Sequence, residues 1–386
     1  VAYWLEELAR TVRTFKFAGT STLPMRRMDG EIASYLTYRA KHFRVLVQQG
    51  VSILVFKTLL TGGLLILGSM LVIDNRISLG QFVASEIVIV LVLGALEKVI
   101  LSLETVYDIL TAVDKAGHVG DLPVEDDGGQ APLAPASGAG MTVLLRQAGY
   151  RYPGAPAPAL SGLSLDLAAG SRVAVTGFDG AGQTTLLKLL GGLYESHEGA
   201  VAHDGVSLHD IDRRLLRARI GLVLETNELF DGTIEENISV GRPEVGTERV
   251  LRALAQVGLQ EYLLALPRGL GTPIRARGLE LPQTVGRKLQ LARAIAGDPA
   301  LLLVDDVVQH FDIASRRQVV RALTDPAAPW TLVTATHDPM LLAAMDRVLV
   351  LDQGRLHRDG TYLEVLRDPY VQGIILPAAE LAGSAA

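Results

Sequence analysis

The 386 residues contain no cysteine, which excludes disulfides and thiolate-held metal and leaves the redox compartment unmarked. They also lack any Lys/Arg-rich stripe interleaved with aromatics, and the formal net charge is −6; both speak against a nucleic-acid partner. No internal repeat of useful length is present. The chain does not open on methionine, and its first stretch, VAYWLEELARTVRTFKFAG, is charged and amphipathic, unlike a secretory signal. It reads as the C-terminal piece of something longer. What is plentiful is apolar surface. Hydrophobic residues make up 49% and the mean hydropathy is +0.29, high enough to ask for a membrane segment in a chain with room for two domains.

Two runs supply that segment. Residues 51–73, VSILVFKTLLTGGLLILGSMLVI, and 80–103, which include QFVASEIVIVLVLGALEKVILSL, are each long enough to cross a bilayer at about 1.5 Å per helical residue. A tight turn around DNRIS joins them, so the pair predicts a transmembrane helical hairpin. Eight basic residues from Arg10 to Arg44 precede the first run, and the positive-inside bias puts both outer ends in the cytoplasm. Lys57, Glu86, Glu97 and Lys98 interrupt the runs. The steps from Glu86 to Glu97 and from Glu97 to Glu104, at about 100° per residue, return to within about 20° of one helix face. Either this acidic stripe walls a path for cationic or polar cargo, or its later members lie on a cytoplasmic extension in water.

After Asp121 the chain reads LPVEDDGGQAPLAPASGAG, without periodicity, which predicts a linker over 119–140 following a membrane part over 1–118. From Met141 short β-like runs alternate with helical stretches. That pattern predicts an α/β domain with a largely parallel sheet over 141–372, then a tail over 373–386.

Inside that domain SRVAVTGFDGAGQTTLLKLL reads as strand, Gly-rich turn and helix. Such a turn lets backbone N–H groups converge on phosphate, while the helix N-terminus adds partial positive charge. Gly177, Gly180 and Gly182 meet the backbone requirement around Ala181, and Thr184, ahead of Thr185, is placed to bring a hydroxyl to magnesium. Where a P-loop has its lysine, between Gly182 and Thr184, this chain has Gln183.

GYRYPG before the loop, and IGLVLETNELFDGTIEENI, LELPQTVGRKLQLARAIAGDP, LLLVDD and THD after it, stand in a telling order. With the loop they make residues 141–372 similar to the nucleotide-binding domain of an ABC exporter, and residues 1–118 similar to the last two helices of its transmembrane domain. The resemblance implies a transmembrane α-helical segment followed by an α/β P-loop NTPase domain of the ABC ATPase type, with ATP and Mg2+ as cofactors. It makes Tyr152 the adenine-stacking ring and sets the loop from Gly177 to Thr185 around the phosphates. It points Thr184, Glu225 and Asp305 toward magnesium, and gives Asp306 and His337 the catalytic places. It further implies a second half-transporter as partner, identical or not, a lipid bilayer around the helices, a cargo it does not name, and a bacterial inner membrane with the ATPase domain in the cytoplasm.

The departures from that family pattern gather on the chemistry. Gln183 can donate a hydrogen bond but supplies no charge. Glu225 replaces a glutamine, and together these two changes make the site more negative beside a polyanion. Asp306 replaces the family's catalytic glutamate and is one methylene shorter; a misplacement of about 1 Å can cost about a hundredfold in rate. Leu281-Pro282-Gln283-Thr284-Val285 stands where the family reads Leu-Ser-Gly-Gly-Gln, a loop that in the family faces the opposite subunit's nucleotide. Pro282 has neither hydroxyl nor N–H, and Gln283 and Thr284 add side chains where backbone must approach closely. The expectation is retained MgATP binding with impaired hydrolysis, or a silent half that supports an active partner.

Overall fold

The computed structural model describes residues 2–122, 124–125, 128–133, 138, 140–224, 228–275, 278–309 and 311–375. Glu225 and the side chain of Glu104 lie outside the described residues. The chain divides into two units, Val1–Val124 and Glu125–Ala386.

The first unit is dominated by two helices, α1 (Leu23–Ile73) and α2 (Leu79–Gly120). Both contain a stretch long and apolar enough to cross a membrane, and both run well beyond the apolar windows. The polar stretch before residue 51 stays helical because it is rich in strong helix formers such as Leu, Met, Ala, Glu, Arg and Lys. The turn is set locally: Ser78 accepts from the Gln81 N–H at 3.2 Å, while Gln81 Oε1 accepts from the Ser78 N–H at 2.9 Å, a reciprocal cap that starts α2. Gly68 is buried in α1, and a Cβ there would collide with the Phe82 ring. Further along, Lys57 Nζ donates to Glu97 Oε2 at 3.1 Å. The acidic stripe is thereby altered, because Glu97 faces a cation on the neighbouring helix, as ionisable groups in apolar surroundings tend to.

The second unit begins before the expected boundary at Met141. Helix α2 takes up 119 and 120, and part of the remaining segment is laid against the domain. Gly128 and Ala131 make bridges to Asp212 and Ile211, the Ala131 N–H donates to Asp210 O at 2.9 Å, and Glu125 pairs with Arg217. Gly129 permits this approach, since a Cβ there would fall on the Asp210 backbone. Composition identified a linker; it did not show that a Gly-Gly step lets one chain lie directly on another. At the far end Ile374 and Ile375, inside the expected tail, are buried in the core.

Among the described residues the domain has two main sheets and a two-stranded pairing of Gly232–Thr233 with Pro273–Ile274. Strands β1 (Val143–Tyr150), β2 (Leu160–Leu167), β4 (Glu198–His203) and β5 (Val206–Ser207) form an antiparallel sheet in the order β2-β1-β4-β5. The second sheet holds β3 (Arg172–Gly177), β6 (Ile220–Val223), β7 (Leu301–Asp305), β8 (Thr331–Ala335), β9 (Arg347–Asp352) and β10 (Arg355–Gly360), in the order β10-β9-β3-β8-β7-β6. All its pairings are parallel except β9 with β10. Its central strands are largely apolar and buried because both faces are covered. Val173 and Val175 enter one core while Ala174 enters the other, as the two-residue period of a strand requires. Helix α3 (Gln183–Leu190) lies in the first of these cores, with Leu186, Leu187, Leu189 and Leu190 fully buried.

Candidate functional site

Strands β3, β8 and β7 are neighbours and parallel, so Gly177, Ala335 and Asp305 end on one edge of the sheet. The crevice beyond the carboxyl ends of parallel strands is where open α/β sheets bind ligands. A cleft of about 390 Å³ opens there, lined by Asp179, Gly180, Gln183, Thr184, Asp305, Asp306, Gln309, Ala335, Thr336 and His337. A larger open cleft of about 720 Å³ touches the loop only at Gly180; the smaller one is the candidate site because the hydroxyls, carboxylates and imidazole converge in it.

The loop is built by packing. Gly180 and Gly182 have φ of 80° and 107°, left-handed values that glycine adopts without steric cost. A Cβ on Gly182 would lie 2.7 Å from Leu160 Cδ2 and 2.9 Å from Ala159 O, and one on Gly177 would lie 3.0 Å from the Ala181 methyl. Ala181 and Gly182 are buried beneath the cleft, while Gln183 and Thr184 are half-buried on its wall. Gln183 Nε2 donates to Gly177 O at 2.7 Å, so the amide is turned onto its own loop. The cradle and the N-terminus of α3 suit an anion, and Thr184 with Asp305 makes a hard-oxygen pair suited to magnesium. No Lys or Arg is among the described residues of the lining. These groups fit a phosphate that arrives with its metal better than a bare one.

Asp305 ends β7 and is buried. Asp306 follows with φ 39°, a left-handed conformation uncommon away from glycine. Its N–H donates to Ala335 O at 2.9 Å and its carbonyl accepts from Arg287 Nη1 at 3.3 Å. His337 Nδ1 lies 3.2 Å from Thr176 Oγ1. The next residue anchors the histidine's loop: Asp338 accepts from the N–H groups of Met340 and Leu341, each at 3.0 Å, and pairs with Arg316 at 2.9 Å.

Tyr152 does not line this cleft. It is half-buried, its hydroxyl lies 3.0 Å from Thr185 Oγ1, and its ring packs edge-on against Tyr150 and Tyr194. The loop helix is thereby tied to the antiparallel sheet. Pro282, Gln283 and Thr284 are also absent from the lining. They begin helix α4 (Gln283–Ile295), where Pro282 takes the N-cap position and makes no side-chain cap. On that helix Lys288 Nζ donates to Ser315 Oγ at 3.2 Å, and burial pulls its pKa down against the raising influence of Asp312. Sequence reasoning missed Asp179, Gln309, Thr336 and Thr176. Asp179, Thr176 and Thr336 stood inside or beside quoted stretches without a stated role, and Gln309 follows Asp305 and Asp306 by three to four residues.

Residues 160–309 match the family described as ABC transporter. An ATP-dependent lipid A-core flippase of Cupriavidus pinatubonensis is 30% identical over 373 residues, covering 95% of this chain and 62% of that protein. An ATP-dependent lipid A-core flippase of Chromobacterium violaceum is 34% identical over 246 residues, covering 64% and 42%. An ATM1-type heavy metal exporter of Novosphingobium aromaticivorans is 34% identical over 208 residues, covering 54% and 34%. The chain thus spans only part of the length of these relatives. Over 99% of this chain and 66% of the other, the structure is similar to that of a bacterial Atm1-family ABC exporter with ATP bound, with a TM-score of 0.85 and 25% identity. With apolar helices preceding an ATPase domain of the type that binds ATP, the chain is a homologue of the Atm1- and lipid A flippase-type ABC exporters.

Proposed function

We propose that the chain is part of an ABC exporter subunit that binds MgATP in the cleft at the ends of β3, β7 and β8, couples that binding to transport, and hydrolyses ATP slowly. The carrying observation is the loop itself: a packed glycine cradle on a helix N-terminus, beside a wall of carboxylates with no Lys or Arg among its described residues. In this reading the loop N–H groups and Thr184 hold phosphate, Asp305, Thr184 and Glu225 hold the metal, and Tyr152 bounds the adenine. Asp306 orients water and His337 donates to phosphate. The bound metal supplies the positive charge that Gln183 does not. Because charge stabilisation dominates phosphoryl transfer, the same substitution slows hydrolysis more than it weakens binding.

On the same reading the helices sit in a bacterial inner membrane with the ATPase domain in the cytoplasm, and the subunit works beside a second half-transporter, with Pro282, Gln283 and Thr284 facing that partner's nucleotide. The test is binding of a fluorescent ATP analogue to the full chain with and without magnesium. Saturable binding that requires magnesium is expected. No saturation at millimolar analogue with magnesium sinks the reading in favour of a silent structural half, which the exposed, uncapped start of α4 also favours.

A further inference from the structure

The side chain that meets the His337 ring stands one place before the Gly-rich turn. Thr176, the residue before Gly177 on β3, is fully buried, and its hydroxyl lies 3.2 Å from His337 Nδ1. Among the described residues that ring nitrogen is its only hydrogen-bond partner. A hydroxyl carries one proton and two lone pairs, and in folded proteins a buried donor without an acceptor is rarer than an acceptor with a lone pair to spare. If Nδ1 carried the proton, the Thr176 hydroxyl would have to accept it, and its own proton would be left in the core without an acceptor. If Nδ1 is bare, the hydroxyl donates to it and every proton is placed. The second arrangement puts the ring proton on Nε2, which no described residue bonds, on a ring that lines the cleft with Asp305 and Asp306.

We propose that Thr176 is a positioning residue that holds His337 as the neutral tautomer with its N–H on Nε2, a donor turned to an anionic oxygen in the cleft. The surrounding structure supports the geometry. Thr176 sits on a central strand of the parallel sheet, and a β-branched side chain there is stiff about χ1. The loop carrying His337 is pinned on its other side by Asp338, whose N–H donates to Thr336 Oγ1 at 3.1 Å and whose carboxylate pairs with Arg316. A donor fixed from two directions needs little reorganisation when a phosphate oxygen arrives. That last step rests on the nucleotide reading above; the tautomer assignment does not.

The test is the 15N spectrum of the full chain labelled at histidine, with His337 identified by the signals lost in His337→Gln. Expected in the wild type are an unprotonated, hydrogen-bonded Nδ1 and a protonated Nε2. Thr176→Val, nearly isosteric, should move the Nδ1 resonance to that of a nitrogen without a donor, and Thr176→Ser should restore it. A protonated Nδ1 in the wild type overturns the proposal, as does an Nδ1 signal unmoved by Thr176→Val. Should the valine variant not fold, the wild-type spectrum alone decides between the two tautomers. Addition of MgATP separates the two claims. A shift at Nε2 supports both, whereas saturating MgATP with no shift there, beside the expected Nδ1 pattern, keeps the assignment and overturns the nucleotide role of the ring.

Discussion

Two helix starts in the ATPase unit have met opposite fates. The loop before α3 is packed between two sheets, with Gly180 and Gly182 at left-handed φ and no room for a Cβ on Gly182. The start of α4 is exposed at Pro282 and Gln283 and has no side-chain cap. At Gly182 the glycine is imposed by neighbouring atoms whatever the ligand does, because Leu160 and Ala159 abut it, whereas Gly180 faces open space and is required only by its φ. At the second, nothing in the chain's own fold demands glycine or serine. At Gly182 the packing of the fold itself requires the backbone form, whereas at Pro282 and Gln283 it does not.

The hardest test of that contrast is a valine at Gly182. Its φ of 107° should cost about 1–3 kcal/mol through backbone strain alone, with the Leu160 and Ala159 contacts adding to it. A lower unfolding midpoint and lost MgATP binding are expected. Gln283→Ala, at the other helix start, should stay within about 0.5 kcal/mol of wild type. Equal unfolding midpoints for the two variants would break the comparison.

Next in size is Gln183→Lys, which supplies the missing charge to an intact cradle. A hydrogen bond to a charged group is worth about 1.5–3 kcal/mol, so MgATP affinity by titration should rise roughly ten- to a hundredfold. An unchanged affinity would mean that the loop's backbone, and not its charge, limits binding.

The other end of α3 gives a pH test. His203 is buried, its ring bonds Leu190 O at 2.8 Å through Nε2, and its Nδ1 has no partner among the described residues. Burial pulls its pKa below the usual histidine value, only partly opposed by the Leu190 carbonyl and Asp204. Below about pH 6.5 the unfolded chain takes up a proton that the folded chain refuses. Stability should therefore be full above that pH and fall as pH drops toward the folded value. Denaturant unfolding at several pH values checks the slope, which His203→Gln should flatten.

The smallest effect is expected from Pro282→Ser. The backbone there, φ −55° and ψ 138°, suits a capping serine, worth about 0.5–2 kcal/mol, while losing proline gives back about 0.4–1 kcal/mol through the unfolded chain. A small rise in the unfolding midpoint is expected; a fall would show that Pro282 has a structural duty at this helix start.

Much of the domain could be read along the chain because its signals are local. A strand, a Gly-rich turn and a helix follow each other within SRVAVTGFDGAGQTTLLKLL, and largely apolar runs mark strands covered on both faces. The docked residues Glu125, Gly128 and Ala131 were legible only as part of a linker, because their partners near Asp210 and Arg217 are some eighty residues or more away. The ion pair of Lys57 with Glu97 spans forty residues and two helices. Each charge was visible in the sequence, but their meeting depends on how the hairpin closes.

The sequence by itself determined the order of parts, the two apolar helices, the phosphate-type loop and the absence of its lysine, since each is a property of composition or of short-range spacing. Tertiary structure alone decided that Gly177, Asp305 and Ala335 end side by side and that Thr176 meets His337. The physical reason is strand order. With β3 beside β8 and β8 beside β7, residues more than a hundred positions apart become neighbours at one sheet edge, and no spacing along the chain records that.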